Sequence, residues 1–209
     1  MNKLRVGVLM GGKSIEREVS FNSGRTICDH LDANRYDIIP LLQTHQGTLY
    51  ILPWHFLHRG KLSDFLHRLS TQAQEITWDD LPSHIDFMYI AVHGKYAEDG
   101  TLQGFLEVLG IPYLGSKVLC SALGMDKIVQ KEVLSYHGIQ VPKGVTCYPV
   151  NKNNVIELCA HLEYPLVVKP AYEGSSLGVS IVHDEHQLEK AIHHAMTIDP
   201  HHEQPVLIE

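Results

Sequence analysis

A lysine at the end of an apolar run, followed by a loop of small residues, is the arrangement in this chain best suited to holding an anion. Val167 to Ser180 reads VVKPAYEGSSLGVS. Lys169 supplies a compact ammonium, while Gly174, Ser175, Ser176 and Gly178 let the backbone pass close to a ligand and turn amide N–H groups and hydroxyls toward it. Such a loop suits a lid over a polyphosphate, and a nucleoside triphosphate fits it best. A hairpin with an ordinary surface lysine has the same pattern. Lys127, in Met125-Asp126-Lys127, would add a second ammonium if its helix packs against the strand of Lys169, and two amines would neutralise a polyphosphate and hold it for attack. Alone, it reads as a helix lysine in solvent.

The first half offers different chemistry. GVLMGGKS, Gly7 to Ser14, formally fits the phosphate-binding P-loop pattern. The match is rejected, because Val8, Leu9 and Met10 continue an apolar strand and leave only Gly11 to Ser14 to turn. After that turn Ser14 is a candidate helix cap, with Glu16, Arg17 and Glu18 in the first helical turn. Glu16 can serve the helix end or receive an amino group at the mouth of a sheet. His93 follows Ala91 and Val92 at an expected strand end, where an imidazole can donate to a carboxylate, transfer a proton, or be structural. Asp99 is a candidate cap for a helix at Thr101, and Glu98 beside it forms no convincing acid/base or metal pair without a third partner. The 15 histidines include the pairs His193, His194 and His201, His202, but no HExxH motif or close Cys/His set occurs, so they read as surface residues of a polar tail and no metal ligand is assigned.

These residues need elements to position them. Leu4 to Met10 reads as a buried strand, Gly11 and Gly12 break it, and a helix is predicted over Ile15 to Leu31 with Gly24, Ile27, Cys28 and Leu31 inward. Strands are predicted at Tyr36 to Leu42, Leu49 to Leu52, Phe87 to Val92 and Ile111 to Leu114, with a helix over Thr101 to Leu109. This alternation predicts a parallel α/β sheet, whose ligands sit beyond the carboxyl ends of its strands. From Gly115 the pattern changes: one helix through Ala122, Met125, Val129, Val133 and Tyr136, strands at Leu166 to Lys169, Gly178 to Val182 and Pro205 to Glu209, and a helix over Glu185 to Met196. That order predicts an α+β domain. The chain stops inside an apolar strand, which predicts a fragment; an edge strand reaching the terminus is the alternative.

The composition narrows the class. The 209 residues are 44% apolar, enough for one sizeable core or two modest ones. Seventeen Lys plus Arg against 24 Asp plus Glu give a net charge of -7, and without a basic track nucleic acid is not an expected partner. Four cysteines without CxxC spacing, a start without a signal-peptide apolar region and no run of membrane-spanning length predict a cytoplasmic protein with no membrane insertion.

Five segments, GGKSIEREVSFNSG (Gly11 to Gly24), VHGKYAEDGTLQGFLEVLGIPYLGS (Val92 to Ser116), SALGMDK (Ser121 to Lys127), VVKPAYEGSSLGV (Val167 to Val179) and VLIE (Val206 to Glu209), together resemble the bacterial D-alanine:D-alanine ligase family, in the family's order and over essentially the whole chain. The resemblance implies an N-terminal α/β parallel-sheet domain (pre-ATP-grasp) over residues 1–115, followed by an α+β central ATP-grasp lid domain over 116–209, with the C-terminal domain absent. It implies an enzyme that uses ATP to phosphorylate one D-alanine carboxylate, and the amine of a second D-alanine then attacks the acyl phosphate to give the dipeptide for peptidoglycan. By the same resemblance Glu16 holds the first substrate's ammonium, Val19 lines that site and His93 lies near the substrate carboxylate. Ser175 belongs to a network that reaches that glutamate through a tyrosine. Lys127, Lys169 and Ser176 reach ATP phosphates, and Glu209 stands at the adenine edge. Mg2+, or Mn2+ in its place, is implied, with its ligands in the missing part; a homodimer is implied for the full-length protein. The 209 residues alone are then expected to be inactive. Ligation to D-lactate or another nucleophile, or a non-catalytic nucleotide-binding remnant, are the alternative readings.

Overall fold

The computed structural model describes residues 3–58, 60–199 and 202–209. The first strand, β1 (Leu4–Gly11), is buried on both faces, which is why it reads as an unbroken apolar run. Val6, Val8 and Met10 join one core with Phe21 and Cys28 of α1 (Arg17–His30), and Leu9 joins a second core with Leu41 and Met88. The helix approaches the strand at Gly24, where a Cβ would stand 2.5 Å from Met10 Cβ.

Next come β2 (Tyr36–Gln43), β3 (Leu49–Ile51), α2 (Leu69–Gln72), β4 (Gln74–Ile76), α3 (Leu81–His84), β5 (Phe87–Ile90), α4 (Thr101–Val108) and β6 (Tyr113–Leu114). The strand order is β4-β3-β2-β1-β5-β6, and β2, β1, β5 and β6 run parallel. The expected parallel sheet is present, with β3 and β4 added antiparallel at one edge. Strand β4 escaped the sequence pattern because its three residues, Gln-Glu-Ile, bury only the last. At the amino ends of β1 and β5, the Arg5 guanidinium lies 2.6 Å from Asp86, whose Oδ2 also accepts the Arg5 backbone N–H at 2.9 Å. Those hydrogen bonds hold the Asp86 carboxyl down to about 2.

The chain divides into two compact units, Met1–Ser121 and Ala122–Glu209, so the division falls inside α5 (Val118–Met125), later than Gly115. The single helix expected there is two, α5 and α6 (Lys127–Tyr136). Between them Asp126 is extended, and its carboxylate accepts the N–H groups of Ile128 and Val129 at 3.0 and 3.1 Å. An aspartate that satisfies two unpaired donors starts a new helix more favourably than it continues an old one. The apolar spacing misled because Tyr136 is 87% exposed and Ile128 alone is buried on α6.

The second unit continues with β7 (Val145–Cys147), α7 (Val155–Cys159), β8 (Leu166–Pro170), β9 (Ser180–Val182), α8 (Glu185–Met196) and β10 (Val206–Ile208). Its sheet, ordered β7-β10-β8-β9, is antiparallel throughout. Val168, Val206 and Ile208 pack with Leu188, Ile192 and Met196 of α8, which leaves Lys169 on the other face. Strand β7 and helix α7 were not foreseen. Cys28, Cys147 and Cys159 are buried, Cys120 is exposed and all four are free thiols. His193 and His194 sit exposed on the last turn of α8 rather than in a polar tail, and His201 lies outside the described residues. Among the described residues no helix is long and apolar enough to cross a membrane.

Candidate functional site

In the first unit the loops after β1 and β5 meet through serines. The Ser14 hydroxyl accepts the Glu16 N–H at 3.1 Å and donates to the His93 carbonyl at 2.8 Å, so it ties the two loops together instead of capping α1. Ser20, fully buried, donates to the Glu16 carbonyl at 3.0 Å and accepts the His93 N–H at 2.9 Å. His93 lies three residues past the end of β5, not at its last residue, and these hydrogen bonds do the positioning that the ladder would have done.

The His93 ring is held from two sides. Nε2 is 2.9 Å from Ser23 Oγ, and Nδ1 is 3.6 Å from Glu98 Oε1. A proton on Nδ1 facing the carboxylate leaves Nε2 to accept from Ser23. Glu98 also accepts the Gly94 N–H at 2.6 Å, so the residue dismissed from sequence for want of a third partner fastens this loop. Glu16 occupies the cap position just before α1, yet its side chain makes no capping hydrogen bond. Its Oε2 crowds the space a Cβ on Gly94 would take, which brings Glu16 beside the His93 loop, and the φ of +80° at 94 favours glycine there. Val19 is 56% exposed on the next stretch of α1. Glu18 instead accepts the N–H groups of Leu62 and Ser63. Asp99 accepts the N–H groups of Tyr96 and Thr101 at 2.7 and 3.0 Å, but the cap of α4 is Gly100, at φ +89°, and no side chain caps the helix, so the expected Asp99 cap is corrected.

In the second unit Lys127 and Lys169 come together. The Lys127 ammonium donates to the Glu173 carbonyl, and its backbone N–H donates to the Ala171 carbonyl at 3.1 Å. Burial lowers the Lys127 pKa, and the neighbouring Lys169 charge lowers it further against Glu173 and Asp126. Lys169 is 2.5 Å from Glu209 Oε2, and Lys131 is 2.7 Å from the other oxygen. Burial pushes the Glu209 carboxyl up, but the two lysines outweigh it and hold it below the usual range. Above these groups Ser175 and Ser176 are exposed with φ of +46° and +59°, a conformation that L residues rarely adopt in succession. Gly178 follows at φ +67°, and a Cβ there would meet Pro170 Cγ at 2.7 Å. Buried Gln204 anchors the loop base, accepting the Tyr172 N–H at 2.9 Å and donating to the Glu173 carboxylate at 3.2 Å.

Glu16 and His93 are thus gathered in one unit, and Lys127, Lys169 and Glu209 in the other. Ser20, Ser23, Glu98, Lys131 and Gln204 were missed. Ser20 stands four residues from Glu16 and Lys131 four from Lys127, a spacing that puts each pair on one helix face and that the sequence did display. Nothing local marked Gln204.

Residues 5–116 match the family model of the D-ala D-ala ligase N-terminus, and residues 116–209 that of the D-ala D-ala ligase C-terminus. The chain belongs to the D-alanine–D-alanine ligase family. A D-alanine–D-alanine ligase from Bacillus anthracis is 38% identical over 185 residues, 88% of this chain and 51% of that protein. Among solved structures, a D-Ala:D-Ser ligase from Enterococcus faecalis superposes with a TM-score of 0.85 at 32% identity, covering 100% of this chain and 62% of that one. The Bacillus anthracis ligase complexed with ATP gives 0.71 at 35% identity, covering 100% and 57%. The chain therefore spans about half the length of the curated relatives it matches. The expected absence of a C-terminal domain is not confirmed, since residues 116–209 match the family's C-terminus model.

Proposed function

We propose that this protein is an ATP-dependent ligase that joins two D-alanines and releases ADP and phosphate. The observation that carries the reading is the meeting of Lys127 and Lys169 beneath the Ser175–Ser176 loop, in a chain of the ligase family. Two ammoniums beside a loop of exposed hydroxyls and amides suit a triphosphate, with Ser176 as a further donor and Glu209 at the adenine edge. In the first unit Glu16 would receive the ammonium of the first D-alanine, Val19 would line its methyl side, and His93, set by Ser23 and Glu98, would face its carboxylate. Ser175 would help orient the substrates.

The chemistry asks for these groups. A carboxylate is a poor acyl donor until one oxygen carries a phosphoryl group, which ATP transfers to it with loss of ADP. The second amine then forms the C–N bond, the C–O bond to phosphate breaks, and the amine proton passes to a base or solvent. An acyl phosphate must be kept from water in the interval, and the loop from Glu173 to Gly178 would do that. Mg2+ or Mn2+ would accompany ATP, and among the described residues no group of three or more His, Cys, Asp or Glu side chains could hold a metal ion. We further propose residues 1–115 as the amino-acid side and 116–209 as the nucleotide side of a cytoplasmic homodimeric enzyme of peptidoglycan synthesis.

The test is ADP release by the full-length protein with D-alanine, D-serine or D-lactate offered as second substrate. D-alanine-dependent release is expected; none with D-alanine present would sink the reading.

A further inference from the structure

Glu209 is shared by two lysines, and the proposed function calls one of them elsewhere. Its side chain is only 9% exposed, with Lys169 on one oxygen and Lys131 on the other. The lysines differ in freedom. Lys169 is 30% exposed and close enough to Lys127 to affect its charge, whereas Lys131 is 17% exposed and enclosed against Gly144. A Cβ at Gly144 would lie 2.9 Å from the Lys131 ammonium and 3.0 Å from Glu209 Cγ. A glycine there leaves room for this ion pair.

A triphosphate bound by Lys127 and Lys169 would draw the Lys169 ammonium off Glu209. A largely buried carboxylate left without a partner is costly, and near phosphates it also repels. Both penalties would oppose binding. We propose that Lys131 is a positioning residue for the nucleotide: it keeps Glu209 neutralised while Lys169 moves to the phosphates, so that the carboxylate neither retains Lys169 nor repels the ligand. This rests on the nucleotide site proposed above.

The experiment is a double-mutant cycle on ATP affinity in the full-length protein, with Lys131→Met, Glu209→Gln and the double variant. Lys131→Met should weaken ATP binding by about tenfold in the native background, and by less than about twofold when Glu209 is already glutamine. Lys131→Arg should keep most of the affinity, since it keeps the charge. Equal losses in both backgrounds would overturn the proposal, because Lys131 would then act on the nucleotide or the fold directly; so would an unchanged affinity in Lys131→Met. Lys131→Gln enters the same cycle if the methionine variant does not fold. Failure of the underlying site has a separate signature: ATP does not bind the native protein, or binds Lys169→Ala equally well.

Discussion

Lys127 surrenders its proton more readily than an ordinary lysine, because burial and Lys169 both disfavour its charge. A phosphate ligand binds the protonated form. ATP affinity should therefore fall as pH rises through the lowered Lys127 pKa, and Lys127→Arg should extend binding to higher pH; titration calorimetry across alkaline buffers reads both. Lys169→Ala should cost about 1 to 3 kcal/mol of ATP affinity, the range for a lost charged hydrogen bond. Glu16→Gln should instead raise the D-alanine KM at near-normal ATP affinity, and an unaltered KM would remove Glu16 from the substrate side. The approach of Lys127 to Lys169 was legible because a lysine at a strand end before a glycine- and serine-rich loop stands out in a sequence. Lys131 shares a helix face with Lys127, but its pairing with Glu209 was not legible, since the two are 78 positions apart.

Elements were legible where one interaction dominated. Helix α8 covers the residues its apolar spacing predicted, because that spacing is its packing against the sheet. The break at Asp126 was missed because a local side-chain cap overrode a periodic pattern with little burial behind it. His93 was set at a strand end, yet serines and a glutamate from α1 and the following loop hold it, and such bonds leave no period to read. The α1–β1 contact gives a sharp test at this scale. Gly24→Ala forces the helix off Met10 and should destabilise the first unit by about 1 to 3 kcal/mol, with Ser20 and Ser23 carried away from His93. Urea unfolding followed by tryptophan fluorescence measures it, because Trp54 and Trp78, the two tryptophans of the chain, both belong to this unit.

The whole molecule carries acid-sensitive ion pairs in both units. Asp86 and Glu209 each hold a carboxyl below its ordinary value, so their stabilisation is fully present above the ordinary carboxylate range and is lost as pH falls through the lowered values. For Asp86 that window runs down to about 2. Asp86→Asn should thus lower the stability of the first unit at neutral pH, and the difference from the native protein should vanish near pH 2 by the same fluorescence assay. The two units and the parallel run of β2, β1, β5 and β6 followed from strand–helix alternation; the antiparallel edge did not, because β3 and β4 are three residues each.

The burial of the cysteines has a practical consequence. Burial pushes the Cys28 thiol up to about 12 and Cys159 to about 11, and raises Cys147 as well, so near neutral pH these three hold almost no thiolate and are shielded from reagents. Cys120 is exposed, one residue before the point where the first unit gives way to the second. Within these 209 residues a maleimide dye would therefore mark a single place, without any engineered cysteine. That place lies on α5, the helix that carries the chain from the first unit into the second.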